Sequence, residues 1–129
     1  MTISRRAGRR AALFMLFQWD VTGKDLGTTY DGEADDFAWA TARAVAERAE
    51  ELDRRIDEAT EGWPAGRLGA LERNVLRIAI HELEQGEVPI EVVIDEAVRL
   101  AKRYASDEAG RLVNGILGRI AREEAARRE

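Results

Sequence analysis

Apolar residues recur every three or four positions along almost the whole 129-residue chain, and proline occurs only at Pro64 and Pro89. That period is the signature of helices that each bury one face. Proline removes a backbone donor and clashes inside a helix, so both prolines are expected at helix starts. The spacing predicts a first helix over 5–22, capped by Ser4, with Leu13, Leu16, Phe17 and Val21 inward and Phe14 widening that surface. A loop over 23–33 follows. One long helix over 35–61 is then predicted from Phe37, Thr41, Val45, Ala49, Leu52, Ile56 and Ala59. Helices over 68–85, 90–104 and 108–127 complete the chain, the first of them apolar on more than one face and so the most buried. Leu112, Val113, Ile116, Leu117 and Ile120 form the inner face of the last. Asn114-Gly115 is a hairpin dipeptide, but its flanks keep helical spacing. It reads as helical, with Gly115 and Gly118 allowing another helix to approach closely. No segment alternates as a strand does, so the fold class is all-α.

The size suits one domain. A hydrophobic fraction of 45% is too high for a disordered chain, and 35% charged residues suits helices with solvated faces. There is no cysteine, which excludes disulfides, thiolate metal sites and cysteine nucleophiles and fits a reducing cytosol. The apolar run from Ala11 to Trp19 is too short to span a bilayer, and no small-residue cleavage site follows it. The expected location is cytoplasmic.

Reactive groups are sparse. His81 is the only histidine and lies within an apolar helix, where a structural role is expected. The pairs Asp35-Asp36, Glu50-Glu51, Asp95-Glu96 and Glu123-Glu124 sit on helices, where acids complement a dipole or solvate a face. No glycine-rich loop follows a strand and no loop has calcium spacing. Trp19, Trp39 and Trp63 read as packing anchors. Neither a metal nor a cofactor is expected, and the chain reads as a binding protein rather than an enzyme.

One feature breaks local rules. Residues 1–19 carry four arginines and no acid, while the remainder carries 16 basic and 25 acidic side chains. Arg5, Arg6, Arg9 and Arg10 fall in the first turns of the first helix, where the dipole favours acids, and spacings of four set like charges together. A phosphate backbone would supply the missing anions. The alternatives are ion pairs to the acidic remainder of the chain or a solvated basic tail.

The second half carries a more specific pattern. Leu71-Glu72-Arg73-Asn74-Val75-Leu76-Arg77-Ile78-Ala79-Ile80-His81-Glu82-Leu83 is followed by Val88-Pro89, then Val93-Ile94-Asp95-Glu96-Ala97-Val98-Arg99-Leu100-Ala101-Lys102, then Leu112-Val113-Asn114-Gly115-Ile116-Leu117. With the opening Arg5-Arg6, Arg9, Ala12, Leu16, Phe17 and Trp19, these blocks resemble the NusB family of transcription antitermination proteins in order and spacing. The resemblance implies a compact NusB-like bundle of about six or seven helices in two packed subdomains, about 1–63 and 64–129. It implies no catalysis. The implied partners are the ribosomal protein NusE, boxA-type single-stranded RNA and the RNA polymerase elongation complex, acting in read-through of ribosomal RNA operons. A homodimer, or a helical protein–protein module of the same fold without an RNA role, is the alternative.

Carried over by position, Arg5, Arg6 and Arg9 match RNA-contacting arginines, and Arg10 adds charge where many relatives have an acid. Tyr104 matches an aromatic position beside RNA, suited to stacking on an unpaired base. Glu108 stands where some relatives have an aspartate near the RNA, and Leu112 replaces a phenylalanine. Phe17, which replaces a frequent tyrosine, and Glu72 and Arg73 match the surface facing the protein partner.

Overall fold

The computed structural model describes residues 2–60 and 68–129. Six helices make up the described chain, with no strand among them: α1 (Arg5–Thr22), α2 (Asp36–Glu47), α3 (Ala49–Ala59), α4 (Ala70–Gln85), α5 (Ile90–Tyr104) and α6 (Asp107–Arg128). No described helix is long and apolar enough to cross a membrane. The expected boundary between 63 and 64, with Trp63 and the helix start at Pro64, lies outside the described residues.

α4 is the hub and touches every other helix. Its residues from Asn74 to Leu83 are buried without interruption, which is what an apolar pattern on more than one face requires. α1 and α2 pack on one side of it, α5 and α6 pair on another, and α3 bridges to α6. Side chains from every helix meet in one core, with Leu13, Met15, Leu16, Val45, Leu52, Ile56, Leu76, Ile80, Leu83 and Leu117 essentially inaccessible.

Helix ends follow local chemistry. Ser4 Oγ accepts from the Ala7 amide, and Asp35 and Ser106 cap α2 and α6 in the same way. α1 and α4 each stop at a glycine with positive φ, Gly23 and Gly86. Pro89 stands at the start of α5, as expected.

Four expectations are corrected. The long helix over 35–61 is two helices, broken at Arg48, where φ is −100° and ψ 11°. The apolar period continues across this residue, so the break leaves no mark in the pattern. The side chain of Arg48 reaches Glu51, Glu84 and His81 Nδ1, which ties the joint to α4. Val21, expected inward, is 59% exposed, and Leu112 is 42% exposed. Met15, unremarked in the pattern, is fully buried instead. Asn114-Gly115 is helical as read, but a Cβ at Gly115 or Gly118 would meet open space. The close approaches are elsewhere. A Cβ on Gly8 would lie 2.7 Å from the Phe37 ring, and one on Gly110 would lie 2.5 Å from the Lys102 stem.

Candidate nucleic-acid interface

The opening arginines diverge once α1 is packed. α1 lies between α2 and α4, so residues four apart on one flank meet different surroundings. Arg9 points inward. It donates from Nε and Nη2 to Glu82 of α4 at 2.7 and 3.0 Å, and only 8% of its side chain is exposed. The expectation that Arg9 contacts RNA does not match this placement, because its side edge grips a buried carboxylate and little of its side chain reaches the surface. Arg6 stays at the surface but pairs with Glu96 of α5, with Nη2 to Oε1 at 2.8 Å. Arg5 lays its guanidinium over the Phe37 ring at 4.1 Å, a cation–π contact. Neither Arg5 nor Arg10 forms an ion pair with a carboxylate among the described residues. Carboxylates thus pair directly with two of the four arginines, while Arg5 only feels the charge of Asp35, and Asp31 and Glu33 line the same groove as Arg10.

The start of α1 is locked to the start of α2. Asp35 accepts from the amides of Ala38 at 3.0 Å and Ile3 at 3.2 Å. Those amide bonds, Ala38 first, hold its carboxyl below the usual range despite burial. Gly8 lets the Phe37 ring sit directly on α1, which puts Phe37 under Arg5.

Arg10 opens a second cluster. It borders a groove of about 460 Å³ with Ile3, Ala7, Phe14, Gln18 and the loop residues Tyr30 to Glu33. Phe14, one turn along α1, meets Tyr104 edge to face with ring centroids 4.9 Å apart at 80°. Arg103 stacks on the other partner, 5.6 Å from the Tyr104 centroid. The end of α5 therefore lies against α1, and the two touching rings, Phe14 and Tyr104, are flanked by Arg10 on one side and Arg103 on the other. Arg103 and Tyr30 had no signal in the sequence beyond residue type, because the α1–α5 contact sets Arg103 at the ring pair and the loop after α1 brings Tyr30 to the groove of Arg10 and Phe14.

Glu108 does not join the arginines. It lines a separate groove with Leu68, Gly69, Glu72, Ser106, Ala109 and Leu112. This places Glu108 beside Glu72, one of the residues expected to face the protein partner. Phe17 is half-buried. Arg73, also expected at that surface, is tied down. It donates to Asp20 Oδ2 from Nη2 at 2.7 Å and from Nε at 3.1 Å, and to the Leu68 carbonyl from Nη1 at 3.0 Å. Asp20 also accepts from Asn74 at 3.0 Å and Arg77 at 3.1 Å, and Arg77 grips Asp53 at 2.7 and 2.8 Å. Burial pushes the Asp20 carboxyl up, but Arg73 and Asn74 together bring it below its ordinary value. The polar residues of the 71–83 block thus clamp α1, α3 and α4 together. His81 is buried on the same helix, and its Nδ1 lies 2.9 Å from Arg48 Nη1, the structural role expected of it.

Fold and face define an all-helical protein that presents cations beside aromatic rings on a charge-clamped scaffold. The NusB family model matches residues 6–122, and the chain belongs to that family. It is 42% identical over 122 residues to the transcription antitermination protein NusB of Rubrobacter xylanophilus, covering 89% of this chain and 88% of that one. It is 36% identical over 131 residues to the NusB of Solibacter usitatus, covering 93% and 90%. Among solved structures it is similar to Thermotoga maritima NusB, with a TM-score of 0.83 and 40% identity over 95% of this chain and 94% of that one. It is also similar to a chain of the antitermination factors NusB and NusE in complex with double-stranded RNA, with a TM-score of 0.80 and 28% identity over 92% and 96%.

Proposed function

We propose that this chain is an RNA-binding adaptor of transcription antitermination. With NusE it holds boxA-type single-stranded RNA and helps the RNA polymerase elongation complex read through ribosomal RNA operons. It catalyses no reaction. The observation that carries this reading is the pair of touching rings, Phe14 and Tyr104, flanked by Arg10 and Arg103 across the α1–α5 contact. Cations that track a backbone beside rings that stack bases are the working parts of single-strand binding.

In this reading Arg5, Arg6 and Arg10 neutralise phosphates and Tyr104 stacks on a base. Arg9 braces the face from beneath through Glu82. A carboxylate accepts from base amino groups and repels phosphate, so Glu108 serves at a base edge, where the RNA passes toward the partner side. Phe17 and Glu72 face NusE, and Arg73 holds that surface in shape through Asp20. Support for NusE and RNA as partners comes from the likeness to a chain of the antitermination factors NusB and NusE in complex with double-stranded RNA.

The test is a competition at physiological salt between boxA and scrambled RNA, with NusE present. A clear preference for boxA is expected. Equal binding of both would favour a helical interaction module or homodimer without an RNA role.

A further inference from the structure

Arg6 and Glu96 meet along one particular edge. Arg6 donates from Nε to both carboxylate oxygens at 3.2 and 3.3 Å, and from Nη2 to Oε1 at 2.8 Å. A guanidinium carries five N–H donors in a flat fork, with a side edge (Nε and Nη2) and an end edge (Nη1 and Nη2). The side edge is taken, while Nη1 has no partner among the described residues. The Arg6 side chain is 56% exposed and the Glu96 side chain 13%, so the carboxylate is sunk and the arginine stands above it. Glu96 shares a tight crevice with Arg9, Glu82 and Val93. The hydrogen bond from Arg6 holds its carboxyl below the usual range against burial. Arg9 uses the same edge on Glu82 but is buried. Of the two paired arginines, only Arg6 can use a second edge.

We propose that Glu96 is a positioning residue, gripping the side edge of Arg6 so that its end edge is presented, already oriented, to a phosphate of the RNA backbone. The proposal rests on the RNA-binding reading above. A long side chain ordered before binding avoids a rotamer cost that would otherwise weaken the complex, here about two- to tenfold. Coulomb's law alone predicts the opposite sign, since an acid beside a polyanion repels it. The sign of the effect therefore separates positioning from mere charge.

The experiment measures binding of boxA-type single-stranded RNA by the full chain with NusE over a range of salt. Variants are Glu96→Ala, the near-isosteric Glu96→Gln, Arg6→Ala and the double Arg6→Ala/Glu96→Ala. Glu96→Ala is expected to bind about two- to tenfold more weakly, although it removes a negative charge. Its slope of log affinity against log salt should be shallower by up to about 0.7, one lost phosphate contact on a single strand. The double variant should bind no worse than Arg6→Ala alone, a coupling that general loosening of the fold would not produce. Tighter or unchanged binding by both Glu96→Ala and Glu96→Gln would overturn the proposal, as would additive losses in the double variant. Failure of the unaltered chain with NusE to bind RNA would instead overturn the RNA reading itself, and the proposal with it.

Discussion

Arg9 of α1 and Glu82 of α4 form a two-pronged ion pair, 2.7 and 3.0 Å long, with 8% and 4% of the two side chains exposed. Removing two charges from water costs several kcal/mol per ion, and only good geometry with paired donors offsets it. Here Nε and Nη2 meet both carboxylate oxygens, so the pair pins the arginine-rich start of α1 to the hub helix.

Breaking that pair should be costly for stability. Arg9→Ala or Glu82→Ala is expected to destabilise the fold by about 3–5 kcal/mol, because each strands a buried charge. Replacing both with apolar residues of similar volume should recover most of the loss. Urea denaturation of the three variants checks this, and a loss below about 1 kcal/mol in both single variants would contradict the bracing role.

Arg5 and Arg10 should behave in the opposite way. Neither is ion-paired within the described chain, so Arg5→Ala/Arg10→Ala should change stability by only about 0.5 kcal/mol per site. RNA affinity should fall, and the salt slope should become shallower by about 1.4 if each arginine neutralises one phosphate of a single strand. Unaltered RNA binding in this variant would remove the basic face from the mechanism.

His81 makes stability depend on pH. Burial, then the neighbouring Arg48 guanidinium, pushes the imidazole below its ordinary value of 6.5. Glu84 and Glu82 pull the other way without reversing the shift. The unfolded chain therefore binds the proton more readily than the folded one. This contribution is fully present above about pH 6.5 and is lost as pH falls through the lower folded value. Thermal melts between pH 7.5 and 5 should show a smaller decline for His81→Asn than for the unaltered chain. Parallel declines would show that His81 contributes nothing to the pH response.

The glycines offer a test with signs on both sides. A Cβ at Gly115 or Gly118 meets open space, so alanine there should stabilise α6 by roughly 0.5–1 kcal/mol through helix propensity. At Gly8 the added methyl would lie 2.7 Å from the Phe37 ring. Gly8→Ala should therefore destabilise, displacing Phe37 and the Arg5 guanidinium above it. Melting temperatures of the three variants distinguish these outcomes.

Legibility varied with the range of the interaction. The spacing gives helix α5 to the residue, and Ser4 as a cap and Pro89 at a helix start are legible, because caps and periodicity act within a few neighbours. The break at Arg48 was not readable. No glycine or proline marks it, and the bond from Arg48 to His81 spans 33 positions of sequence. Leu112 and Val21 kept helical spacing yet lie outside the core, since spacing gives the face of a helix but not where its neighbours end.

By itself the sequence determined an all-helical chain, a central helix and a first turn overloaded with arginine, because all three are set by local pattern and charge. It left open whether those arginines answer to phosphate or to the protein's own acids. Only the tertiary structure decided how they divide. Packing α1 against α4 and α5 brings Glu82 to Arg9 across 73 positions and Glu96 to Arg6 across 90, and leaves Arg5 and Arg10 without an ion pair in direct contact among the described residues. Charges so distant in sequence have no local signature. They find one another only when apolar burial has fixed the helices in place.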